Sequence, residues 1–132
     1  MKYKILTILG TRPEIIRLSC VIRSLDENFD HRIVNTNQNY SDDLNKRFIK
    51  DLKIKKASYS MSNKKEKTPI NFIANLLIFI DKILEKEKPD AIVILGDTNG
   101  SLSAICAKKK KIPIFHLEAG NRCFDQRVPE EI

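Results

Sequence analysis

Three absences narrow this chain before anything present in it is read: cysteine is scarce, long apolar runs are missing, and so is the glycine fingerprint of dinucleotide binding. The three cysteines, Cys20, Cys106 and Cys123, are odd in number and their spacing fits no metal pattern. Cys20 and Cys106 fall in apolar helical stretches and are expected as small core residues. Cys123 stands among polar loop residues. A reducing compartment fits all three. The longest apolar stretches, such as Ala91–Leu95, are far shorter than the roughly 20 residues of a membrane span. The N-terminus, Met1-Lys2-Tyr3-Lys4-Ile5-Leu6, runs straight into a strand without an apolar segment and cleavage site, so no signal peptide is read. A cytoplasmic protein with no membrane partner is the expectation. A GxGxxG motif is lacking, which argues against a nicotinamide cofactor.

What is present suits one α/β domain. The 132 residues are enough for one real core and too few for two, and 42% of them are hydrophobic, an ordinary share for a globular domain. The net charge is +7, which by itself could suggest a nucleic-acid partner. The lysines, however, fall in short separate runs at 53–56, 64–67 and 108–111, without interleaved stacking aromatics or a nucleic-acid motif. They read as solvated surface, with no nucleic-acid partner. A smaller role remains in attracting an anionic nucleotide.

Along the chain, strands and helices alternate. Residues 4–9 form an apolar run rich in β-branched side chains that ends at Gly10. Over 13–25 the apolar positions Ile15, Ile16, Leu18, Val21, Ile22 and Leu25 make a helical face, and Thr11-Arg12-Pro13-Glu14 fits a capping box. A second strand is read at 31–35, a helix at 41–52, a short strand at 57–61 and a long amphipathic helix from Thr68-Pro69 to about Lys86, with Pro89 beyond its end. Ala91–Leu95 suits a strand buried on both faces of a parallel sheet. A helix at 101–110, a strand at 113–117 and a polar tail at 118–132 complete the pattern. Such alternation predicts right-handed βαβ units and a parallel sheet with helices on both faces. Ligands of these sheets bind beyond the carboxyl ends of the strands. The segments 10–12, 35–40, 96–99 and 118–122 all follow strand ends, so they are expected along one rim.

On residue type alone, each rim segment has two readings. Gly10 opening a helix, with Arg12 and Arg17 a turn or so on, is either an anion site or a capped helix with exposed arginines. Asp97, in Gly96-Asp97-Thr98, ends a buried strand, where an acid is costly unless paired or used; it is either functional or a helix cap. In His116-Leu117-Glu118-Ala119-Gly120-Asn121-Arg122, Glu118 projects from the last strand and His116 alternates with it. His116 is either a catalytic or a structural histidine. Asp125, Arg127, Glu130 and Glu131 read alone as a solvated charged segment.

Together these residues carry a resemblance. Gly10-Thr11-Arg12-Pro13-Glu14 followed by Arg17, Asn37-Gln38-Asn39-Tyr40, Gly96-Asp97-Thr98, His116-Leu117-Glu118-Ala119-Gly120 and Pro129-Glu130-Glu131 occur in the order and spacing of the non-hydrolysing UDP-N-acetylglucosamine 2-epimerase family. The stretch from Asn121 to Pro129 looks closer to the branch acting on UDP-2-acetamido-2,6-dideoxy-L-talose, which makes UDP-N-acetyl-L-fucosamine for surface polysaccharides. The resemblance implies a Rossmann-like domain forming the N-terminal half of a GT-B-like two-domain architecture. Residues 1–132 would be most of that domain, without the C-terminal UDP-binding domain. It also implies a homodimer, no cofactor and no metal. By carry-over Asp97, Glu118 and Glu130 match catalytic acids. Gly10, Arg12, Arg17, Gln38, Thr98, His116, Arg122 and Glu131 are the candidates for holding the UDP-sugar. Arg17 stands where many members have lysine, which keeps the charge and changes the geometry. Gln38-Asn39 stands where the family commonly has Gln-His.

The implied chemistry explains the carboxylates. The proton on C2 of the sugar is not next to a carbonyl, so simple deprotonation is unfavourable. The family is understood to eliminate UDP across C1 and C2, leaving a 2-acetamidoglycal, and to add UDP back with the proton delivered to the other face. That requires a base, an acid and stabilisation of the departing diphosphate. Because a histidine and much of the UDP site come later in family members, the 132 residues alone are expected not to epimerise. A UDP-sugar glycosyltransferase and a non-catalytic nucleotide-sugar-binding domain are the competing readings.

Overall fold

The computed structural model describes residues 2–38, 50–62 and 66–127. The first strand, β1 (Lys4–Leu9), leads into helix α1 (Arg12–Asn28), β2 (Asp30–Asn35) and the two-residue β3 (Tyr59–Ser60). Helix α2 (Pro69–Glu87) precedes β4 (Ala91–Leu95); a 3-10 turn (Asn99–Leu102) then runs into α3 (Ser103–Lys109) and β5 (Ile114–Leu117). The described strands form one sheet in the order β3-β2-β1-β4-β5, with every pairing parallel. This is the parallel α/β architecture expected from the alternation. Of the helix expected at 41–52, only residues 50–52 lie within the described residues, and Lys50 and Asp51 are helical.

Period-two burial builds two core layers. Leu6, Ile8, Ile92 and Ile94 face Phe72, Leu76 and Ile80 of α2 and Cys106 and Ala107 of α3. The alternate residues Ile5, Leu9, Val93 and Leu95 face Ile15, Leu18 and Ile22 of α1. All five β4 residues are buried, as a strand covered on both sides requires. Ile92 and Ile94 are wholly buried, and each such side chain contributes about 1.5–3 kcal/mol on leaving water.

The helix ends follow local chemistry. The Thr68 hydroxyl accepts from the Asn71 amide at 3.1 Å, and Pro69 fills the first turn of α2, where a missing N–H costs nothing. That helix ends at Lys88 in a left-handed conformation (φ +45°), followed by Pro89. One core expectation is corrected: Cys20 is exposed. At about 100° per residue, it projects away from the buried stripe of Ile15, Leu18 and Ile22.

The strand order positions the site. From β1 the chain moves to β2 and β3 on one side and later to β4 and β5 on the other. The order therefore switches between β1 and β4, and their carboxyl ends, Gly10 and Gly96, flank the crevice where such sheets bind ligands.

Candidate active site

The loop after β4 turns at Gly96, whose φ of +66° suits a residue without Cβ. Its amide donates to the Leu117 carbonyl at 3.0 Å, and its own carbonyl lies 2.6 Å from His116 Nε2, so that nitrogen carries the proton and donates. His116 thus ties the end of β5 to the loop after β4. Asp97 follows and is exposed. The burial cost expected for an acid there does not arise, because burial ends with Leu95.

After β5, Glu118 adopts a left-handed conformation with φ of +63°, uncommon for a residue with a side chain and frequent at functional sites. Its carboxylate meets Arg17 from the second turn of α1: Arg17 Nη1 donates to Oε1 at 3.0 Å and to Oε2 at 2.8 Å. The turn continues through Gly120 (φ +82°) to Arg122.

These segments enclose a cleft of about 650 Å³ lined by Arg17, Asp97, Thr98, His116, Glu118 and Arg122, among others. Six candidates from distant parts of the sequence share one cavity. Gly10 and Arg12 lie beside it at the start of α1 and do not line it. Gln38 lines a separate depression of about 340 Å³ with Glu66, Lys67 and Thr68, and Asn99 borders both spaces. Glu130, Glu131, Asn39 and Tyr40 lie outside the described residues. An apolar groove of about 630 Å³ between α1 and β5 holds none of the candidates.

Close approach explains Gly10. A Cβ built there would lie 1.8 Å from Thr36 Oγ1, so a side chain does not fit while Thr36 keeps its place. The amides of Gly10 and Thr11 donate to Glu14 Oε2 at 2.8 and 2.7 Å. The helix start is thus already occupied by its own carboxylate, and among the described residues Arg17 and Arg122 are the cations lining the cleft.

A family profile for UDP-N-acetylglucosamine 2-epimerase matches residues 23–132. The chain belongs to this family. It is 47% identical over 131 residues to the UDP-N-acetylglucosamine 2-epimerase of Methanocaldococcus jannaschii, covering 98% of this chain and 36% of that protein. Against the UDP-2,3-diacetamido-2,3-dideoxy-D-glucuronate 2-epimerase of Pseudomonas aeruginosa it is 37% identical, covering 98% of this chain and 37% of that one. The solved epimerase from Rickettsia bellii superposes with a TM-score of 0.88 at 52% identity, over 99% of this chain and 35% of that one. The M. jannaschii enzyme in complex with UDP-GlcNAc and UDP gives 0.89 at 45% identity, over 97% of this chain and 36% of its own. The chain therefore spans about a third of the length of these epimerases. No helix among the described residues is long and apolar enough to cross a membrane.

Asn99 and Asn121 line the cleft, within the two segments expected on the rim, though neither was singled out. Sequence reasoning missed one contributor, buried Glu14, which bonds the cleft residue Thr98. The capping-box spacing marked Glu14 as a helix starter, but nothing local pointed to its second contact, with Thr98.

Proposed function

We propose that this chain is the sugar-facing α/β domain of a UDP-N-acetylhexosamine 2-epimerase that inverts C2 by eliminating UDP and adding it back. The carrying observation is the cleft at the switch in strand order, where Asp97 and Glu118 converge with Arg17, His116 and Arg122. Two carboxylates in one pocket divide the proton transfers at C2, with Glu130 as the third acid of the set. Arg17 and Arg122 supply positive charge for the diphosphate as it leaves. Arg12, Gly10, Gln38 and Glu131 complete the nucleotide-sugar surface, while Thr98 lines the cleft with its hydroxyl turned to Glu14. The reaction is internally balanced: the proton leaves and returns at C2, the C1–O bond to UDP breaks and re-forms, and no oxidant or metal is consumed.

The substrate in this reading is UDP-2-acetamido-2,6-dideoxy-L-talose, giving UDP-N-acetyl-L-fucosamine for a surface polysaccharide; the run from Asn121 to Pro129 supports it. Members of the family differ in sugar, as the P. aeruginosa relative acting on a diacetamido glucuronate illustrates. Epimerisation needs the UDP-binding half as well, so residues 1–132 alone give no turnover, and the working enzyme is a cytoplasmic homodimer.

Proton NMR in D2O of the intact gene product, offered each UDP-sugar in turn, tests this. Deuterium appearing at C2 with interconversion of the two epimers supports the reading and identifies the sugar. No C2 exchange with any of them removes it. Turnover by residues 1–132 alone would remove the requirement for a second half.

A further inference from the structure

We infer that Glu14 is a positioning residue that locks the Asp97-Thr98 loop onto the start of α1. Glu14 is 2% exposed, which is rare for an acid unless every oxygen is satisfied. Its Oε2 accepts from the amides of Gly10 and Thr11. Its Oε1 accepts from the Thr98 hydroxyl at 2.6 Å, a contact spanning 84 positions. One carboxylate thus joins the loop after β1 to the loop after β4 across the switch in strand order. Buried Gly100 packs against the same contact: a Cβ built on it would lie 3.3 Å from Thr98 Oγ1 and 3.7 Å from Glu14 Oε1.

The consequence falls on Asp97. No hydrogen bond or ion pair to another described residue holds its exposed carboxyl, so its direction is set by the residues on either side. Gly96 is held by the Leu117 carbonyl and by His116. Thr98 is held at its carbonyl by the Ser101 amide and hydroxyl, at 2.9 and 2.8 Å, and at its side chain by Glu14. Removing the Glu14 contact leaves Thr98 held at its carbonyl alone and loosens one of the two flanks. A proton-transfer group displaced by about 1 Å loses on the order of 100-fold in rate, so the expected effect is on kcat rather than on binding.

This inference rests on the proposed epimerase reading, and its test separates the two. Thr98→Val removes the hydroxyl donor without touching the helix cap. In the intact enzyme it is expected to lower kcat about tenfold or more with KM little changed. Glu14→Gln can still accept the two amides through its oxygen and donate to Thr98 Oγ1 through its amide, so it should retain most activity where Glu14→Ala does not. Adding Thr98→Val to Glu14→Ala should cost nothing further, because the hydroxyl acts through Glu14. Wild-type kcat in Thr98→Val, or the same loss from Thr98→Val in both backgrounds, overturns the inference. Should the wild-type enzyme exchange no C2 proton, the epimerase reading fails. The coupling is then judged by amide NMR of Glu14→Ala, which must move the Asp97 and Asn99 resonances across the 84-position contact. Shifts confined to Gly10 and Thr11 reject it.

Discussion

Arg17 and Glu118, 101 positions apart, form a two-oxygen ion pair on the wall of the cleft. Both groups keep contact with water: the side chains are 58% and 38% exposed. In this geometry the arginine holds the acid in place and partly neutralises it. In the proposed reaction a diphosphate entering the cleft would compete with Glu118 for the same guanidinium, which would link nucleotide binding to release of the carboxylate through Arg17.

Arg17→Ala is therefore expected to barely affect folding and strongly affect catalysis. An exposed pair contributes about 0–1 kcal/mol to stability, so the thermal midpoint should move by a few degrees at most. Loss of a hydrogen bond to a charged group is worth about 1.5–3 kcal/mol, so kcat/KM of the intact enzyme should fall about tenfold to a hundredfold. Arg17→Lys keeps the charge but not the planar guanidinium and should fall between. Melting curves and steady-state kinetics on the same preparations check this; equal losses in both would make Arg17 a purely structural residue.

Asp97→Asn and Glu118→Gln should each remove about 10²–10⁴-fold of kcat, the usual share of a general acid or base. UDP affinity, measured by calorimetry, should change little for Asp97→Asn, because its carboxyl contacts no cation among the described residues. Loss of UDP binding in Asp97→Asn, with kcat preserved at saturation, would reassign that residue to holding the nucleotide.

Much of the fold was legible because its signals are local. The unbroken apolar run of β4 is framed by Pro89 and Gly96, and it lies buried on both faces as read. The six apolar positions from Ile15 to Leu25 announced α1, which extends three residues further, to Asn28. The edge of the sheet was harder. The strand read at 57–61 shrinks to Tyr59–Ser60, because only Val34 and Asn35 of β2 pair with it. The helix read at 101–110 begins as a 3-10 turn at Asn99, where the Thr98 carbonyl takes the Ser101 amide. In the site, alternation along a parallel sheet was enough to put the 96–99 and 118–122 segments on one rim. The Glu14–Thr98 and Arg17–Glu118 contacts were not readable, since both depend on how loops far apart in sequence meet.

Gly10→Ala should destabilise the domain by about 1–3 kcal/mol, the usual cost of forcing an atom into packed space. The clash is with the Thr36 hydroxyl, and Thr36 is held in place by its amide, which donates to the Leu9 carbonyl at 2.8 Å. Thr36 Oγ1 is itself buried without a hydrogen bond among the described residues. Thr36→Ala should consequently be close to neutral alone and should recover most of the loss caused by Gly10→Ala. Urea melts of the two single variants and the double variant give the coupling directly. Purely additive losses would place the strain of Gly10→Ala elsewhere.

Stability should fall in mild acid because of a buried histidine remote from the cleft. His31 on β2 is 2% exposed. Its Nδ1 lies 2.5 Å from Asp26 Oδ1 and its Nε2 2.7 Å from the Thr7 hydroxyl. A neutral ring satisfies both contacts by donating from Nδ1 and accepting at Nε2. Lys55 bonds both Asp26 and the His31 carbonyl, bringing a cation close to the ring. Burial pushes the His31 pKa below its ordinary value of 6.5 and outweighs the raising effect of the Asp26 hydrogen bond; the Lys55 charge pushes the same way as burial. The unfolded chain therefore takes up the proton first as the pH falls. The contribution is complete above about pH 6.5 and is progressively lost as the pH drops toward the lower folded-state value. The urea midpoint of the wild type should decline between pH 7.5 and 5, and His31→Gln, although less stable at pH 7.5, should decline less. Parallel declines in the two proteins would assign the acid sensitivity to other groups, and a wild-type midpoint that rose with acid would mean that the Asp26 contact prevails over burial.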